Sequence, residues 1–487
     1  MLNRQIDTPL YEQIAEQLIE DIGSGVYGVG HKVPSVRHMS RHMGVSISTV
    51  TQAYAWLEDQ GWLRARPQSG YYVRARQHFA SERGTATPPL SRGEQPAAFT
   101  KSERINNMLQ RLNQPRQINL GAAIPDPAIL PLRQLQTHIN KVSRFNTRQI
   151  VAYQFAPGLE GLRQQIAVRM RDVGVRCHQD DVVITNGCAE AVTLGLRAAT
   201  QPGDLIAVES PCYYGILQIA AMLGLKIIEI PTDPATGISL DALQLALHQW
   251  PIKLIALTAR YANPTGSAIP SDKQRRLVEL AKQHDVGILE DDIYGELGFP
   301  VHRDQAPLMS VLKSYDDDGR VMYCSSFSKT LAAGLRVGWC LPGRWYQQVI
   351  ESQTFTTFSA SSLCQHALYS YLQNGQYDRH LRQLRVRLAD NSQRFLDAIA
   401  RYFPADTRVS EPQGGFILWV CLPAGVSALT LYQLADEHSI SIVPGDLFSN
   451  TDHFDECMRL NCAVNWNGEV ENALATLGKL VTQLARQ

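Results

Sequence analysis

From residue 181 onward, short apolar runs alternate with amphipathic stretches. Asp181-Val182-Val183-Ile184-Thr185, Leu205-Ile206-Ala207-Val208, Lys226-Ile227-Ile228-Glu229-Ile230, Leu254-Ile255-Ala256-Leu257 and Gly287-Ile288-Leu289-Glu290 each read as a buried strand. Residues 271–284 carry a helical period. A run that is apolar on both faces needs cover on both faces. The alternation therefore predicts an α/β domain, a mostly parallel sheet between helices. Ligands of such sheets gather beyond the carboxyl ends of the strands. The residues just after these runs are where chemistry is to be sought.

The first 76 residues have a different rhythm. Leu10, Ile14, Leu18 and Ile22 mark one face of a first helix. A second follows Pro34-Ser35, with Val36, Met39 and Met43 inward and Ser35 as its cap. Gly44-Val45 makes a turn, and Ser46 caps a third helix with Val50, Ala53, Tyr54 and Leu57 inward. Gly61 ends it, and 62–66 and 71–74 read as two strands around Pro67-Gln68-Ser69-Gly70. Three helices and a hairpin in this order form a winged helix–turn–helix. Such a fold offers the start of its third helix to the DNA major groove. Here that start is Ser46, Ile47, Ser48, Thr49 and Gln52.

The charge agrees. The whole chain has 46 Lys and Arg against 46 Asp and Glu, but from Lys32 to Arg76 there are seven bases and two acids. A basic stretch on a neutral protein points to a local polyanion site. Lys32, Arg37, Arg41, Arg64 and Arg66 suit phosphate contact, which positions without specifying.

Leu10-Tyr11-Glu12-Gln13-Ile14, Pro34-Ser35-Val36-Arg37, Gly44-Val45-Ser46, Thr49-Val50, Ala53-Tyr54, Leu57-Glu58 and Gly61-Trp62-Leu63 resemble the GntR-type regulators. The resemblance implies DNA contacts from Arg37, Ser46, Ser48 and Thr49. Many members have Arg where this chain has Ile47, which leaves the operator sequence open.

Between the two patterned zones, residues 77–101 are rich in Pro, Ser, Gly and Ala and have no period. Such a composition buries too little apolar surface to offset chain entropy. The expected organisation is a DNA-binding domain over 1–76, a linker over 77–117 that is flexible to about 101 and then a short helix, and a large domain over 118–487. The opening Met1–Asp7 lacks the apolar core of a secretion signal, and no apolar run nears the ~18 residues of a membrane span. Nine cysteines without a Cys-x-x-Cys pair fit reduced thiols in a cytoplasmic protein, with no metal site.

In the large zone, Ser326-Phe327-Ser328-Lys329 follows an apolar run, Val321–Ser325, and precedes Gly334-Leu335-Arg336-Val337-Gly338-Trp339. A lysine at a strand end in a sheet crevice is partly desolvated, as a Schiff-base lysine must be. Pyridoxal phosphate on such a lysine makes four further demands. Its pyridine nitrogen needs a carboxylate, and Glu290-Asp291-Asp292 supplies one. Its phenolic oxygen needs donors, and Tyr294 and Asn263 of Asn263-Pro264-Thr265-Gly266 fit. Its phosphate needs a helix start and cations, and Asn186-Gly187-Cys188-Ala189-Glu190 with Ser326 and Arg336 fit. Its ring needs an aromatic cover, and Tyr213 fits.

This order and spacing resemble the class I/II aminotransferases of pyridoxal phosphate fold type I, over about residues 118–487. Leu120-Gly121, Pro125-Asp126-Pro127, Tyr153, Gly158-Leu159, Leu162-Arg163, Gly414-Gly415-Phe416, Val443-Pro444-Gly445 and Arg459-Leu460-Asn461 extend the likeness. The resemblance implies a smaller C-terminal α+β subdomain. It gives Lys329 the Schiff base, Asp291 the pyridine nitrogen, and Asn263 and Tyr294 the phenolic oxygen. Gly187, Cys188, Ala189, Ser326 and Arg336 hold the phosphate, and Arg459 clamps a carboxylate. Tyr153 reaches the phosphate in a partner subunit. Cys188-Ala189 departs from the commoner Ser-Gln, which puts one side-chain bond to phosphate in doubt.

The two domains in one chain resemble the MocR subfamily of GntR-type regulators. That resemblance implies a homodimer that binds double-stranded DNA and senses the cofactor or an amino-type effector. A working aminotransferase with a secondary DNA-binding domain remains the alternative, because Arg459 and the rest of the set are present.

Overall fold

The computed structural model describes residues 9–23, 26–27, 31–59, 62–66, 70–73, 96–111, 118–300 and 310–486. Helices α1 (Leu10–Gly23), α2 (Val36–Met43) and α3 (Ile47–Asp59) precede the antiparallel strands β1 (Leu63–Arg66) and β2 (Gly70–Val73). Ile14, Leu18, Met39, Tyr54 and Leu57 close their common core. The caps are those expected. Ser35 Oγ accepts from His38 N at 3.3 Å, Gly44 takes a left-handed φ of 63°, and Ser46 Oγ accepts from Thr49 N at 3.1 Å. This is the winged helix–turn–helix. The predicted helix end at Gly61, the hairpin turn at 67–69, Arg74 and the linker from 77 to 95 lie outside the described residues.

The end of the linker differs from expectation. The composition predicts flexibility to about residue 101, yet residues 96–101 run along the large domain. Ala97 pairs with Ile227 in an antiparallel bridge, Phe99 is buried, and Lys101 Nζ donates to Asp446 O at 2.9 Å and Thr451 O at 3.1 Å. One buried ring and one half-sequestered cation anchor a segment whose composition is otherwise that of a coil. The short helix expected next is α4 (Ser102–Arg111), where Arg104 pairs with Asp446 at 2.6 Å.

The large domain opens with β3 (Ile118–Asn119). Its main sheet holds β4 (Val183–Thr185), β5 (Leu205–Ser210), β6 (Lys226–Asp233), β7 (Gly237–Ile238), β8 (Ile252–Leu257), β9 (Gly287–Asp291), β10 (Val321–Ser326) and β11 (Gly338–Leu341), in the order β4-β11-β10-β9-β8-β5-β6-β7. From β6 through β5, β8 and β9 to β10 the pairing is parallel. β11 runs antiparallel between β10 and β4. Alternate residues go to opposite faces. Ile288 joins Ile255 and Leu277 in one core, and Leu289 joins Ala191 and Met322 in another. Helices thus cover both faces, as the apolar runs required.

A second sheet, antiparallel, holds β12 (Arg408–Val409), β13 (Ile417–Cys421), β15 (Val443–Pro444) and β16 (Cys457–Asn461) in the order β12-β13-β16-β15. Between them β14 (Ile440–Ser441) pairs in parallel with β3. With the helices Ala428–Glu437 and Gly468–Leu484 this forms the smaller α+β subdomain. Among the described residues no helix is long and apolar enough to cross a membrane.

The long helix Gln376–Tyr402 links these parts. Leu381, Leu388, Phe395 and Ile399 face the core. Asn391, 4% exposed, donates to Cys462 O at 2.9 Å and Val464 O at 2.7 Å, just beyond β16. On the outer face, Asp390 accepts from Arg64 of β1 at 2.8 Å. Asn391→Leu should leave both buried carbonyls without a partner. The expected cost is about 2–4 kcal/mol, read as a lower thermal midpoint of the large domain with the helical content of the native state retained.

Candidate functional site

The carboxyl ends of β5, β8, β9 and β10 open into one cavity of about 320 Å³. Lys329, Asp291, Asn263, Tyr294, Tyr213, Cys188, Ala189 and Arg336 all line it. These come from separate stretches of sequence. The sheet brings them together because most lie at or just beyond the carboxyl end of a strand, and Arg336 leads into β11 beside them.

Lys329 sits in a single π-helical turn, Ser328–Ala332, after β10. Its Nζ donates to Ala123 O at 2.7 Å. Burial lowers its pKa to about 8, helped by the Arg459 guanidinium and opposed by Asp291. A lysine so placed reaches its neutral, nucleophilic form near physiological pH. Asp291 ends β9 and is 5% exposed. Burial raises it to about 6, while the S–H of Cys188, donating at 3.2 Å, holds it down. The departure at Cys188 thus has a use, since the thiol turns to the carboxylate. Asn263 Nδ2 donates to Tyr294 Oη at 3.4 Å, and burial pushes the Tyr294 phenol up.

An anion cradle lies at the start of the helix Cys188–Ala199. Gly187 caps it with φ at 86°, and a Cβ there would lie 2.5 Å from Arg336 Nη2. Only glycine lets the guanidinium approach. Arg336 Nη2 donates to Asn186 O at 2.9 Å, so the cation stays over the free amides of the helix start. A phosphate dianion fits this cradle in charge and donor set. Ser326 does not line the cavity. Its Oγ accepts from Ser328 N at 3.3 Å, and Ser328 lines the cavity instead.

Arg459 lies on β16 with no exposed surface. Its Nε and Nη2 donate to Gly121 O at 3.1 and 2.8 Å, and its Nη1 to Asn263 Oδ1 at 3.0 Å. Tyr153 lies away from the cavity and is 77% exposed, stacked on Phe155 at 5.5 Å and next to Phe358.

Sequence reasoning missed Ala123 and Tyr214. Ala123 acts through a backbone carbonyl, which leaves no trace in residue type. Tyr214 lines the cavity and lies under the Arg459 guanidinium at 5.6 Å. Its place beside Tyr213 was the available signal.

In the winged domain, Arg37, Ser46, Ile47, Ser48 and Gln52 are exposed, and Thr49 is half-buried. Ser46 Oγ lies 2.7 Å from both Ser48 Oγ and Thr49 Oγ1, so three hydroxyls share one patch at the start of α3. Arg64 faces Asp390. The side chain of Arg66 lies outside the described residues.

Comparison with known proteins gives both halves a family. Aminotransferase class I and II matches residues 115–477, and Bacterial regulatory proteins, gntR family, matches residues 10–73. Two proteins of Escherichia coli (strain K12) align over 473 residues. YjiR is 38% identical over 97% of this chain and 98% of its own, and YdcR is 40% identical over 97% and 99%. Both carry the name uncharacterized HTH-type transcriptional regulator. The crystal structure of LysN, an alpha-aminoadipate aminotransferase from Thermus thermophilus complexed with N-(5'-phosphopyridoxyl)-L-leucine, is 25% identical. It covers 80% of this chain and 99% of that one, with a TM-score of 0.70.

The lowered lysine gives a pH test. Amine-directed labelling of Lys329 should be half-maximal near pH 8, whereas surface lysines should titrate near pH ~10.4. The depressed pKa also means the native state holds fewer protons than the unfolded chain between those values. This group's contribution therefore makes stability rise with pH across that window. Competitive labelling read by mass spectrometry checks the first expectation, and denaturant midpoints of wild type against Lys329→Met check the second.

Proposed function

The chain belongs to the class I and II aminotransferase family, joined to a gntR-type domain in the MocR-type architecture, and on that premise we propose that it is a DNA-binding transcription regulator whose large domain senses pyridoxal phosphate or an amino compound. One observation carries the sensing half. The helix Gln376–Tyr402 touches both the lysine loop and the wing. Tyr377 Oη gives its proton to Glu296 Oε2 and accepts from Thr330 Oγ1 at 2.8 Å, and His380 Nε2 donates to Thr330 O at 2.7 Å, one residue past Lys329. Ten residues on, about 15 Å along the axis, Asp390 holds Arg64.

When bound, pyridoxal phosphate supplies a reactive aldehyde carbonyl and an electron-withdrawing ring. The chain's own groups do the rest. Lys329 offers a neutral amine at Nζ, and Asp291 offers a carboxylate for a ring N–H. Asn263 and Tyr294 offer donors for an oxygen. Gly187, Cys188, Ala189 and Arg336 hold a phosphate, with Ser326 bracing the loop through Ser328. Arg459 binds a carboxylate through a bidentate pair.

Arg459 and Lys329 also bond the chain itself, Arg459 to Gly121 O and Lys329 to Ala123 O. A ligand that engages them competes with residues 121–123. That segment follows β3, which follows α4 and the linker, so a second route leads toward the DNA-binding domain. In either route the ligand must favour one DNA-binding geometry by differential affinity.

The winged domain reads duplex DNA with Ser46, Ser48 and Thr49 and steadies it with Arg37, Arg64 and Arg66. The protein works in the cytoplasm as a homodimer, with Tyr153 extending from one copy to the phosphate of the other. The exposed Tyr153, Phe155 and Phe358 support that reading, since an exposed aromatic cluster marks an interface.

The test is binding to the native upstream DNA by cofactor-free protein, cofactor-loaded protein and Lys329→Ala. The three are expected to differ, and identical binding would sink the sensing reading. Arg37→Ala should weaken binding to all sequences and lower the salt slope by about 1. Asp390→Ala should shrink the cofactor's effect on DNA affinity and leave cofactor affinity unchanged. Fast, complete conversion of the cofactor to its amine form by an amino acid, with many turnovers, would favour the aminotransferase reading.

A further inference from the structure

The small sheet sets two thiols side by side. Cys421 on β13 and Cys457 on β16 are direct partners in the antiparallel register, and their sulfurs lie 3.0 Å apart. Ladder bonds fix the kind of position. Leu422 N donates to Glu456 O at 2.8 Å, and Cys462 N donates to Phe416 O at 2.8 Å. Pairs in an antiparallel ladder alternate, so Cys421 and Cys457 face each other at a narrow pair without ladder bonds of its own. Such pairs hold their Cα atoms about 4.5 Å apart, within the roughly 4.4–6.8 Å that a disulfide spans. From 3.0 Å the sulfurs have about 1 Å to close to the bonded separation of about 2.05 Å.

Access agrees with geometry. Cys421 is half-buried, between the exposed Arg408 and Glu456, and Cys457 is 7% exposed. The other register pair, Cys324 and Cys340, is wholly buried in the main sheet. The S–H of Cys457 donates to the Cys421 sulfur and holds the Cys421 thiol below its ordinary range, with Arg408 helping, while Cys457 is pushed up. Cys421, the more exposed of the two, is the sulfur an oxidant reaches first, which makes it the attacking thiolate and Cys457 the resolving thiol.

We propose that Cys421 and Cys457 form a reversible disulfide when the protein meets a hydroperoxide, making this pair a redox modification site. The step balances with hydrogen peroxide as oxidant. The Cys421 thiolate attacks one peroxide oxygen, the O–O bond breaks, and a sulfenic acid forms as hydroxide takes a proton and leaves as water. The Cys457 sulfur then attacks the sulfenic sulfur, the S–O bond breaks, and its thiol proton leaves with the oxygen as a second water. Two thiols are oxidised and one peroxide is reduced. A dithiol reverses the bond by exchange.

The place of the bond gives it consequences. Cys457 N donates to Phe454 O at 2.9 Å and closes the loop that carries Asp446 and Thr451. Those two residues hold Lys101 at the end of the linker. Two residues further along the same strand is Arg459. The bond would fasten β13 to β16 at the point where the docking loop ends and the strand of the carboxylate clamp begins.

The experiment exposes the full-length reduced protein to a small excess of hydrogen peroxide, alkylates the remaining thiols, and maps peptides by mass spectrometry. The expected product is one cross-linked pair, Cys421 with Cys457, two hydrogens lighter and lost on treatment with dithiothreitol. Cys457→Ser should trap Cys421 as a sulfenic acid that reacts with dimedone, and Cys421→Ser should leave Cys457 alkylated. Recovery of both wild-type cysteines as free thiols or separate sulfinic acids, or cross-linking of Cys324 to Cys340 in their place, would overturn the proposal. Failure of Cys421 to take up dimedone in Cys457→Ser would overturn the assigned order of attack. None of these readouts requires cofactor or DNA.

Discussion

A guanidinium with no exposed surface holds the large domain's crevice in shape. Burying an ion costs several kcal/mol unless its geometry is well satisfied, so the partners of Arg459 are constrained as tightly as Arg459 itself. They come from three places: β16 carries the cation, the stretch after β3 supplies Gly121 O, and the turn after β8 supplies Asn263. Gly121 is fixed by the same contact. A Cβ there would lie 2.5 Å from the Ile442 carbonyl carbon, so a larger residue would push the carbonyl off the cation. Asn263, pinned on one side by Arg459, presents its amide to Tyr294 on the other. The donor pair at the cavity wall therefore follows from a charge in the second subdomain.

The same economy governs the long helix. Its inward leucines and phenylalanine belong to the core and cannot shift independently of it. Thr330 at one end and Arg64 further along are thus attached to one rigid body. Asn391 ties that body to the strand end beyond Arg459. Spatial connection is not itself coupling. What suits this helix to the proposed coupling is that its contacts to Thr330, Arg64 and the strand end are discrete hydrogen bonds, each either made or broken. The 96–101 segment, held by Phe99 and Lys101, leaves less slack between the domains than its composition suggested.

The sequence made most of this legible where a residue type has one physical reading. Parallel strands showed as apolar runs, and Lys329, Asp291, Asn263 and Tyr294 showed because they follow strands. The caps at Ser35 and Ser46 showed because a hydroxyl before a helix has few other uses. What stayed hidden depends on backbone atoms or on tertiary context. The carbonyls of Gly121 and Ala123 carry no type signal. Antiparallel β11 was read only as a motif, because Gly338-Trp339-Cys340-Leu341 is too short to show direction. The motif points Ser326 at the phosphate, but the π-helical turn puts Ser328 at the cavity wall. Arg64 read as one more phosphate contact, since nothing local announces a partner 326 residues away.

That last residue sets the sign of the proposed regulation. If Arg64 takes a DNA phosphate, as proposed, it cannot do so with the guanidinium face that bonds Asp390, so wing docking and DNA contact at this position would compete. Both side chains are partly exposed, at 38% and 52%. Exposed pairs of this kind are worth about 0.2–1 kcal/mol, or roughly 1.5- to 5-fold in an equilibrium constant. One such contact grades a response and does not switch it. In a twofold homodimer the contact occurs twice, and the factor is squared, to about 25-fold at most. A ligand that strengthens the docked geometry then acts against DNA binding, and one that loosens it acts in favour. In the proposed regulation, the direction of control would follow from whether an occupied lysine loop grips the long helix more tightly than an empty one.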